Sequence, residues 1–295
     1  MQSIFRYPGG KTKSGIKRKI MGRFPYKYEE YREPFVGGGD IFFSIPIQKK
    51  RWINDINKDL ISVYLALKNR PKEFELLCNS IAPHKETEET KEKEDGQRVY
   101  NKRMRQEFFR LIDDENADPA LRYFFVNRTV WGGRVNYNIR SRLYFSNPTG
   151  WNIIKTNKLE QASEILQNVK ITHTDYQSVM MAPGKDVFIY LDPPYVVNTG
   201  LSRSSQLYQF NFSIGDHRML AKIFKKCPHK ILMSYDNDEE GVIKEMYQDI
   251  AFIQDESWAY CGTSSSEKHS KKKKIGRELL ISNYPVETTV DMFSH

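Results

Sequence analysis

The sequence predicts an α/β fold: one mostly parallel sheet, interrupted by an inserted and mainly helical subdomain. Apolar strand-like runs alternate with amphipathic helical patterns, as parallel strands joined by helices require. That alternation begins at 31–69, stops, and resumes at 157. The last two strand-like runs have no helix between them, so they are expected to pair antiparallel. The expected organisation is a core split between 1–69 and 158–295, with 70–157 inserted.

Taken in order, Ser14 can cap a helix whose Ile16, Ile20 and Phe24 share one face, and Pro25 stops it. "YREPFVGGGDIFF" is an extended segment that runs into three glycines, and "RWINDIN" (51–57) is a second short strand. Leu60, Val63, Tyr64 and Leu67 recur at helical spacing until Arg70 and Pro71 break the pattern. Residues 84–95, "HKETEETKEKED", are all polar and read as a solvated loop. Helical patterns follow at 101–112 and 117–127, then "NRTVWGGRVNYNIRSRLYF", which suits a hairpin or irregular loop. The second half reads helix 158–168, strands 169–174 and 187–191, helix 213–226, strand 230–234, helix 238–248, strand 250–257 and a final strand 278–284.

Composition narrows the function classes. At 295 residues and 39% hydrophobic, the chain can bury a sizeable core. Its 46 Lys and Arg outnumber 37 Asp and Glu, and the resulting +9 favours a polyanionic partner. Cys78, Cys227 and Cys261 are far apart and lack metal-ligand spacing, which argues against a disulfide framework or a zinc site and for a reducing cytosol. No apolar run approaches the ~20 residues of a membrane span. The stretch through Tyr28 has no acid, as in a transit peptide, but it lacks serine richness and carries "RYPGGK", which reads as working sequence.

Chemistry concentrates at strand ends. Gly37, Gly38 and Gly39 follow a strand and let a ligand approach the backbone, but they are not a G-x-G-x-x-G fingerprint. Asp55 ends the next strand, where a carboxylate can accept both hydroxyls of a ribose. Each alone has a plain alternative, a tight turn and a helix cap; in this order they favour a bound nucleoside. "DPPY" is more specific. The strand "VFIYL" delivers Asp192 at its C-terminal end, where open α/β sheets bind ligands. Pro193 and Pro194 remove backbone donors and leave acceptors, and Tyr195 offers a flat face. Acceptors beside a stacking surface match a planar base with an exocyclic amino group.

With these motifs the chain resembles the Dam-type (D12 class) DNA adenine-N6 methyltransferases. "FRYPGGK" (5–11), "EPFVGGG" (33–39), "NDINKDLISVY" (54–64), "LDPPY" (191–195) and "ELLISNY" (278–284) are similar to that family's motifs, in the family's order and across nearly the whole chain. The resemblance implies a Rossmann-like methyltransferase sheet with an inserted DNA-recognition subdomain, S-adenosylmethionine as cofactor, and methyl transfer to the amino group of a flipped-out adenine in duplex DNA. It implies catalytic roles for Asp192, Pro193, Pro194 and Tyr195. It places Tyr7, Lys11, Glu33, Phe35, Gly37, Gly39, Asp55, Asp175 and Asp192 at the cofactor. Arg6 takes the position of a basic DNA contact, and Asn127, Arg128, Arg134 and Asn136 fall in a segment like the family's recognition hairpin. The Gly133-to-Arg134 interval is two residues tighter than in the Dam type, so a GATC site is not implied.

The residues support DNA independently. Arg128, Arg134, Arg140 and Arg142 alternate with Trp131, Tyr137 and Tyr144, and arginines reach phosphates or guanine edges while aromatics fill the gap left by an extruded base. An ordinary basic loop explains that stretch equally well. Lys271 lies in "KHSKKKK", a solvated loop that could touch phosphates. The other expectations are no metal, no membrane, a monomer or weak dimer in the cytoplasm of a bacterium or a phage's host, and a cognate restriction nuclease as candidate partner. An RNA adenine methyltransferase and a non-catalytic DNA-binding regulator on the same scaffold are the alternatives.

Overall fold

The computed structural model describes residues 3–6, 16–47, 49–81, 95–130, 133, 135, 156–195, 212–236, 241–259 and 275–286. Its strands are β1 (Glu30–Glu33), β2 (Lys50–Asn54), β3 (Val169–Thr172), β4 (Val187–Leu191), β5 (Lys230–Asp236), β6 (Phe252–Ala259) and β7 (Ile275–Ser282). They form one seven-stranded sheet in the order β3-β2-β1-β4-β5-β7-β6. Strands β3 through β5 are parallel, and β7 runs antiparallel between β5 and β6. The antiparallel closing pair expected from the sequence is therefore present.

The helices are α1 (Ile16–Met21), α2 (Lys58–Asn69), α3 (Pro71–Ile81), α4 (Asp95–Asp113), α5 (Pro119–Thr129), α6 (Thr156–Leu166), α7 (Tyr176–Met180), α8 (Ile214–Lys226) and α9 (Val242–Tyr247). Their starts have local causes. The Asn57 side chain accepts from the N–H groups of Asp59 and Leu60 at the head of α2. Asp118 caps α5 with Pro119 behind it, and Ser213 and Asp216 form a reciprocal capping box on α8.

Helices cover both faces because β4 is buried on both. Phe188 and Tyr190 point into one apolar cluster, with α2 and the buried side chains of α3, α4 and α5. Val187, Ile189 and Leu191 point into the other, with α8 and α9. The apolar residues of the inserted stretch, among them Phe74, Met104, Phe108 and Phe124, thus share a core with one face of the sheet.

Several boundaries differ from the sequence reading. Pro71 does break α2, but it also occupies the first position of α3, where its missing N–H costs nothing. Helix α7 was not expected; its start is fixed by the Asp175 side chain, which accepts from Gln177 N. Helix α4 begins at Asp95, earlier than the apolar pattern suggested, and β7 begins earlier than expected, at Ile275. The acidic run at 84–94 and the hairpin beyond Val135 lie outside the described residues.

Strands β1 and β4 are neighbours, and the chain leaves them toward opposite edges of the sheet. A crevice opens at such a point beyond the C-terminal strand ends, and ligands of open α/β sheets bind there. No helix among the described residues is long and apolar enough to cross a membrane.

Candidate active site

Each strand end at this crevice delivers one functional group. After β1 the chain turns through Gly37 and Gly39, with φ of 45° and 72°. These left-handed values suit glycine. The Gly37 carbonyl accepts from the Tyr64 hydroxyl of α2 at 2.9 Å. A Cβ on Gly39 would sit 2.7 Å from that same hydroxyl, so the turn tolerates no side chain there. The Ser3 hydroxyl donates to the Gly38 carbonyl and ties the N-terminal segment to the turn.

Asp55 ends β2 and is 7% exposed. Its carboxylate accepts from Gly37 N and Asn57 N, both at 2.9 Å. Burial pushes its pKa up to about 6, and these amide donors oppose that shift without cancelling it. The acid is therefore linked by one hydrogen bond to the glycine turn. Its neighbour Asn54 is more heavily engaged. Its Nδ2 donates to the carbonyls of Pro34 (3.1 Å) and Thr174 (2.9 Å), and its Oδ1 accepts from Thr172 Oγ1 (2.8 Å) and Thr174 N (3.0 Å). One carboxamide thus locks together the chain leaving β1, β2 and β3. The sequence reading missed it; a polar residue closing an otherwise apolar strand was the available signal.

Beyond β3, Asp175 is exposed and caps α7. The next residue, Tyr176, packs against Phe35 with ring centroids 5.1 Å apart, and Phe212 meets both at 6.0 and 6.1 Å. This aromatic group stands beside the glycine turn that Phe35 precedes. Tyr176 and Phe212 were not anticipated, because their partner lies far away in sequence.

The β4 end carries the acid–proline–aromatic turn. Two hydroxyls converge on Asp192 Oδ1: Tyr195 Oη at 3.0 Å and Ser234 Oγ at 3.2 Å. Ser234 in turn bonds Tyr190 Oη at 2.7 Å beneath the turn. The Tyr235 hydroxyl makes a long contact of 3.5 Å with the Pro194 carbonyl and sits 3.1 Å from His217 Nε2. Burial lowers the His217 pKa to about 4, so the imidazole is neutral at physiological pH. Glu33, 2% exposed, accepts from Tyr31 Oη at 2.6 Å. Burial raises its pKa well above the carboxylate range, and the charges of Asp192 and Asp40 push the same way.

The residues expected at DNA divide. Asn127 is fully buried: its Oδ1 accepts from Arg6 N (3.0 Å), and its Nδ2 donates to the carbonyls of Arg6 (2.6 Å) and Gly133 (3.0 Å). Its donor hydrogens are both used within the protein, so its place in the structure is that of a brace between α5 and the N-terminal segment. The Arg128 guanidinium is 9% exposed and donates to the Ile4 carbonyl at 3.1 Å. Burial, and then the nearby Arg6 charge, lower its pKa to about 10. A Cβ on Gly133 would fall 1.9 Å from the Arg6 carbonyl oxygen, so backbone meets backbone there. Arg6 itself is partly exposed beside this junction. Tyr7, Lys11, Trp131, Arg134, Asn136 and Lys271 lie outside the described residues.

A mostly parallel sheet of this order, closed by an antiparallel strand between its last two neighbours and bearing a glycine turn, a buried acid at a strand end and an acid–proline–aromatic turn, is that of the α/β methyltransferases. Within that class, the chain belongs to the D12 class N6 adenine-specific DNA methyltransferases, whose family model matches residues 7–260. It is similar to the Type II methyltransferase M1.LlaDCHI of Lactococcus lactis subsp. cremoris, 27% identical over 96% of both chains. The Type II methyltransferase M.MjaIII of Methanocaldococcus jannaschii is 28% identical, over 96% of this chain and 99% of its own. The DNA adenine methylase of Salmonella typhi is 26% identical over 84% of both. The activity expected from the motifs, adenine-specific methylation of DNA, is that of the family.

Proposed function

We propose that the crevice between β1 and β4 holds S-adenosylmethionine on one side and an extruded adenine on the other, and that Asp192, Pro193, Pro194 and Tyr195 act on the adenine. The observation that carries this reading is the adjacency of two turns. The glycine turn after β1 and the Asp192 turn after β4 leave neighbouring strands at the switch point, with Asp55 hydrogen-bonded to the first.

Bound there, the cofactor supplies an electrophilic methyl group. Asp55 would hold its ribose, and the close backbone of Gly37 and Gly39 would admit it. Phe35 and Asp175 would receive the adenine ring and its amino group, a reading supported by the packing of Phe35 on Tyr176, next to Asp175; Glu33 would act from behind the turn, and the resemblance adds Tyr7 and Lys11. The amino nitrogen of the target base is conjugated into its ring and is a poor nucleophile. Hydrogen bonds from that amino group to the Asp192 carboxylate and the Pro193 carbonyl favour a pyramidal nitrogen with an available lone pair. Pro194 stiffens the turn, and the Tyr195 ring offers the stacking face. Positioning and preorganised acceptors supply most of the rate.

Arg6, Trp131, Arg134, Asn136 and Lys271 are the proposed DNA contacts, with Asn127 and Arg128 acting indirectly by holding the segment that carries Arg6. Relatives named as Type II methyltransferases support a restriction–modification setting; a cognate nuclease as partner, and the cytoplasm of a bacterium or of a phage's host as the place of action, complete the reading. The test is to incubate the protein with labelled S-adenosylmethionine and, in parallel, a duplex DNA library and total RNA, then to sequence modified bases. N6-methyladenine at one short sequence is expected. Label confined to RNA, or to cytosine, overturns the reading.

A further inference from the structure

The last strand contributes a group to the catalytic turn that the reaction described above does not use. Glu278, on β7, is 5% exposed. Its Oε1 lies 3.3 Å from Tyr195 Oη, the same hydroxyl that sits 3.0 Å from Asp192 Oδ1. One phenolic hydrogen therefore stands between two carboxylates. The chain continues inward through Ser234 and Tyr190.

Nothing in the packing of the sheet asks for an acid at this position. In the antiparallel register Glu278 is opposite Asp236 on β5 and Glu256 on β6. Acids facing each other across strands are destabilising, and a buried carboxylate carries a desolvation cost. Glu256 is neutralised by Lys19 of α1 and by Arg23 just beyond that helix. On its Oε1 side Glu278 meets the hydroxyl of Tyr195. That ring has to present a fixed plane to a stacked base, yet it sits on a turn with an exposed side. A second acceptor at the far end of the phenol limits its swing, and the same hydroxyl restrains the Asp192 carboxylate.

We propose that Glu278 is a positioning residue for methyl transfer: through the Tyr195 hydroxyl it fixes both the stacking plane of Tyr195 and the carboxylate of Asp192. The inference rests on the roles proposed above for those two residues. It also assigns the final strand a task beyond closing the sheet, because β7 is inserted between β5 and β6 with Glu278 level with the end of β5. Among the described residues, the charged and titratable groups facing Glu278 include Tyr195 and Tyr190 of β4 and its turn, Asp192 through the shared phenol, Asp236 of β5, and Glu256 of β6 with its partners Lys19 and Arg23.

The test is a double-mutant cycle on single-turnover methyl transfer to duplex DNA, with cofactor and DNA affinities measured alongside. Glu278→Leu should slow transfer at least about tenfold while both affinities stay within about twofold. Glu278→Gln keeps an acceptor for the phenol and should restore most of the rate. In a Tyr195→Phe background, Glu278→Leu should cost nothing further, because the hydroxyl it acts through is gone. An equal loss in both backgrounds, or a wild-type rate for Glu278→Leu, overturns the proposal. If Glu278→Leu fails to fold, Tyr195→Phe decides alone. It must slow transfer and alter the stacking signal of 2-aminopurine at the target position, and an unchanged rate refutes the idea. Asp192→Asn is run in parallel: a wild-type rate there refutes the site reading itself, whereas an inactive Asp192→Asn beside a neutral Glu278→Leu refutes only this inference.

Discussion

Asp55 and Asp192 are both aspartates at C-terminal strand ends of one sheet, yet the protein holds them in opposite ways. Asp55 is gripped by backbone amides, Gly37 N and Asn57 N, and is nearly shut off from solvent. Asp192 is half-buried and held by the hydroxyls of Tyr195 and Ser234. Backbone donors cannot move without moving the strands, so they suit a group that receives the same ligand in every turnover. Side-chain hydroxyls can rotate away, so they suit a group that must release its internal partners when a substrate amino group arrives. The difference teaches that the two acids should fail differently when changed.

The largest effect is expected at Asp192. Asp192→Asn exchanges one acceptor for a donor facing the substrate amino group and should lower the single-turnover rate by at least about 100-fold. Cofactor affinity should change far less. A rate within tenfold of wild type, about 1.4 kcal/mol, would abolish the contrast between the two acids.

Asp55→Ala should act on binding instead. Leaving two ribose hydroxyls unpaired should weaken cofactor affinity by roughly 1–3 kcal/mol, read by titration calorimetry. The pH dependence sharpens this. In the proposed site ribose hydroxyls would donate to the ionised acid, so wild-type affinity should hold at high pH and fall as pH drops through about 6. Stability without cofactor should run the other way. The native pKa is raised from 3.8 to about 6, so the folded state binds the proton more tightly. That contribution is complete at low pH and is lost as pH rises through about 6. Against Asp55→Asn, wild type should lose on the order of 2–3 kcal/mol across this window. Denaturant midpoints at pH 4 and pH 8 measure it.

Next comes Asn54, whose removal tests whether the Asp55 side is the rigid one. Asn54→Ala strips partners from Pro34, Thr172 and Thr174 and should destabilise the fold by about 1–3 kcal/mol. Cofactor affinity should fall with it, since three loops loosen together. The effect at His217, beneath the Asp192 turn, comes last because it is confined to acid pH, away from the working range of the site. Its native pKa of about 4 lies below the ordinary 6.5, so the unfolded chain binds the proton more tightly. Its contribution is complete above pH 6.5 and is lost as pH falls toward 4. His217→Gln should flatten that acid limb of the stability curve.

The groups proposed for the chemistry could be placed at strand ends from the sequence because each is written beside the strand that delivers it. "VFIYL" followed by Asp192, "REPFV" followed by glycines, and "RWIN" followed by Asp55 combine a buried run with a polar end. The groups that hold them were not legible in that way. Asn54 bonds Thr174, Ser234 bonds Asp192 and Glu278 bonds Tyr195, each across more than forty positions, and no local pattern encodes such pairs. Asn127 shows a different failure. It sits among Tyr123, Phe124 and Val126 on a helix buried nearly all round, and a polar residue in that setting is an internal tie. Its resemblance to a recognition motif pulled the reading outward. Pro71 was read as a stop and proved also to be a start, because the same missing donor serves both.

The clash that forbids a side chain at Gly133 has a consequence for redesign. The backbone at Gly133 is seated on Arg6, so the segment thought to choose the DNA sequence shares a foundation with the segment leading to "RYPGGK". A specificity cassette transplanted from a relative would have to begin beyond Gly133. A cut made earlier, anywhere from Asn127 onward, would exchange the residues on which Arg6 is seated along with the proposed recognition segment, and a graft that lost activity would say nothing about which bases the new loop reads.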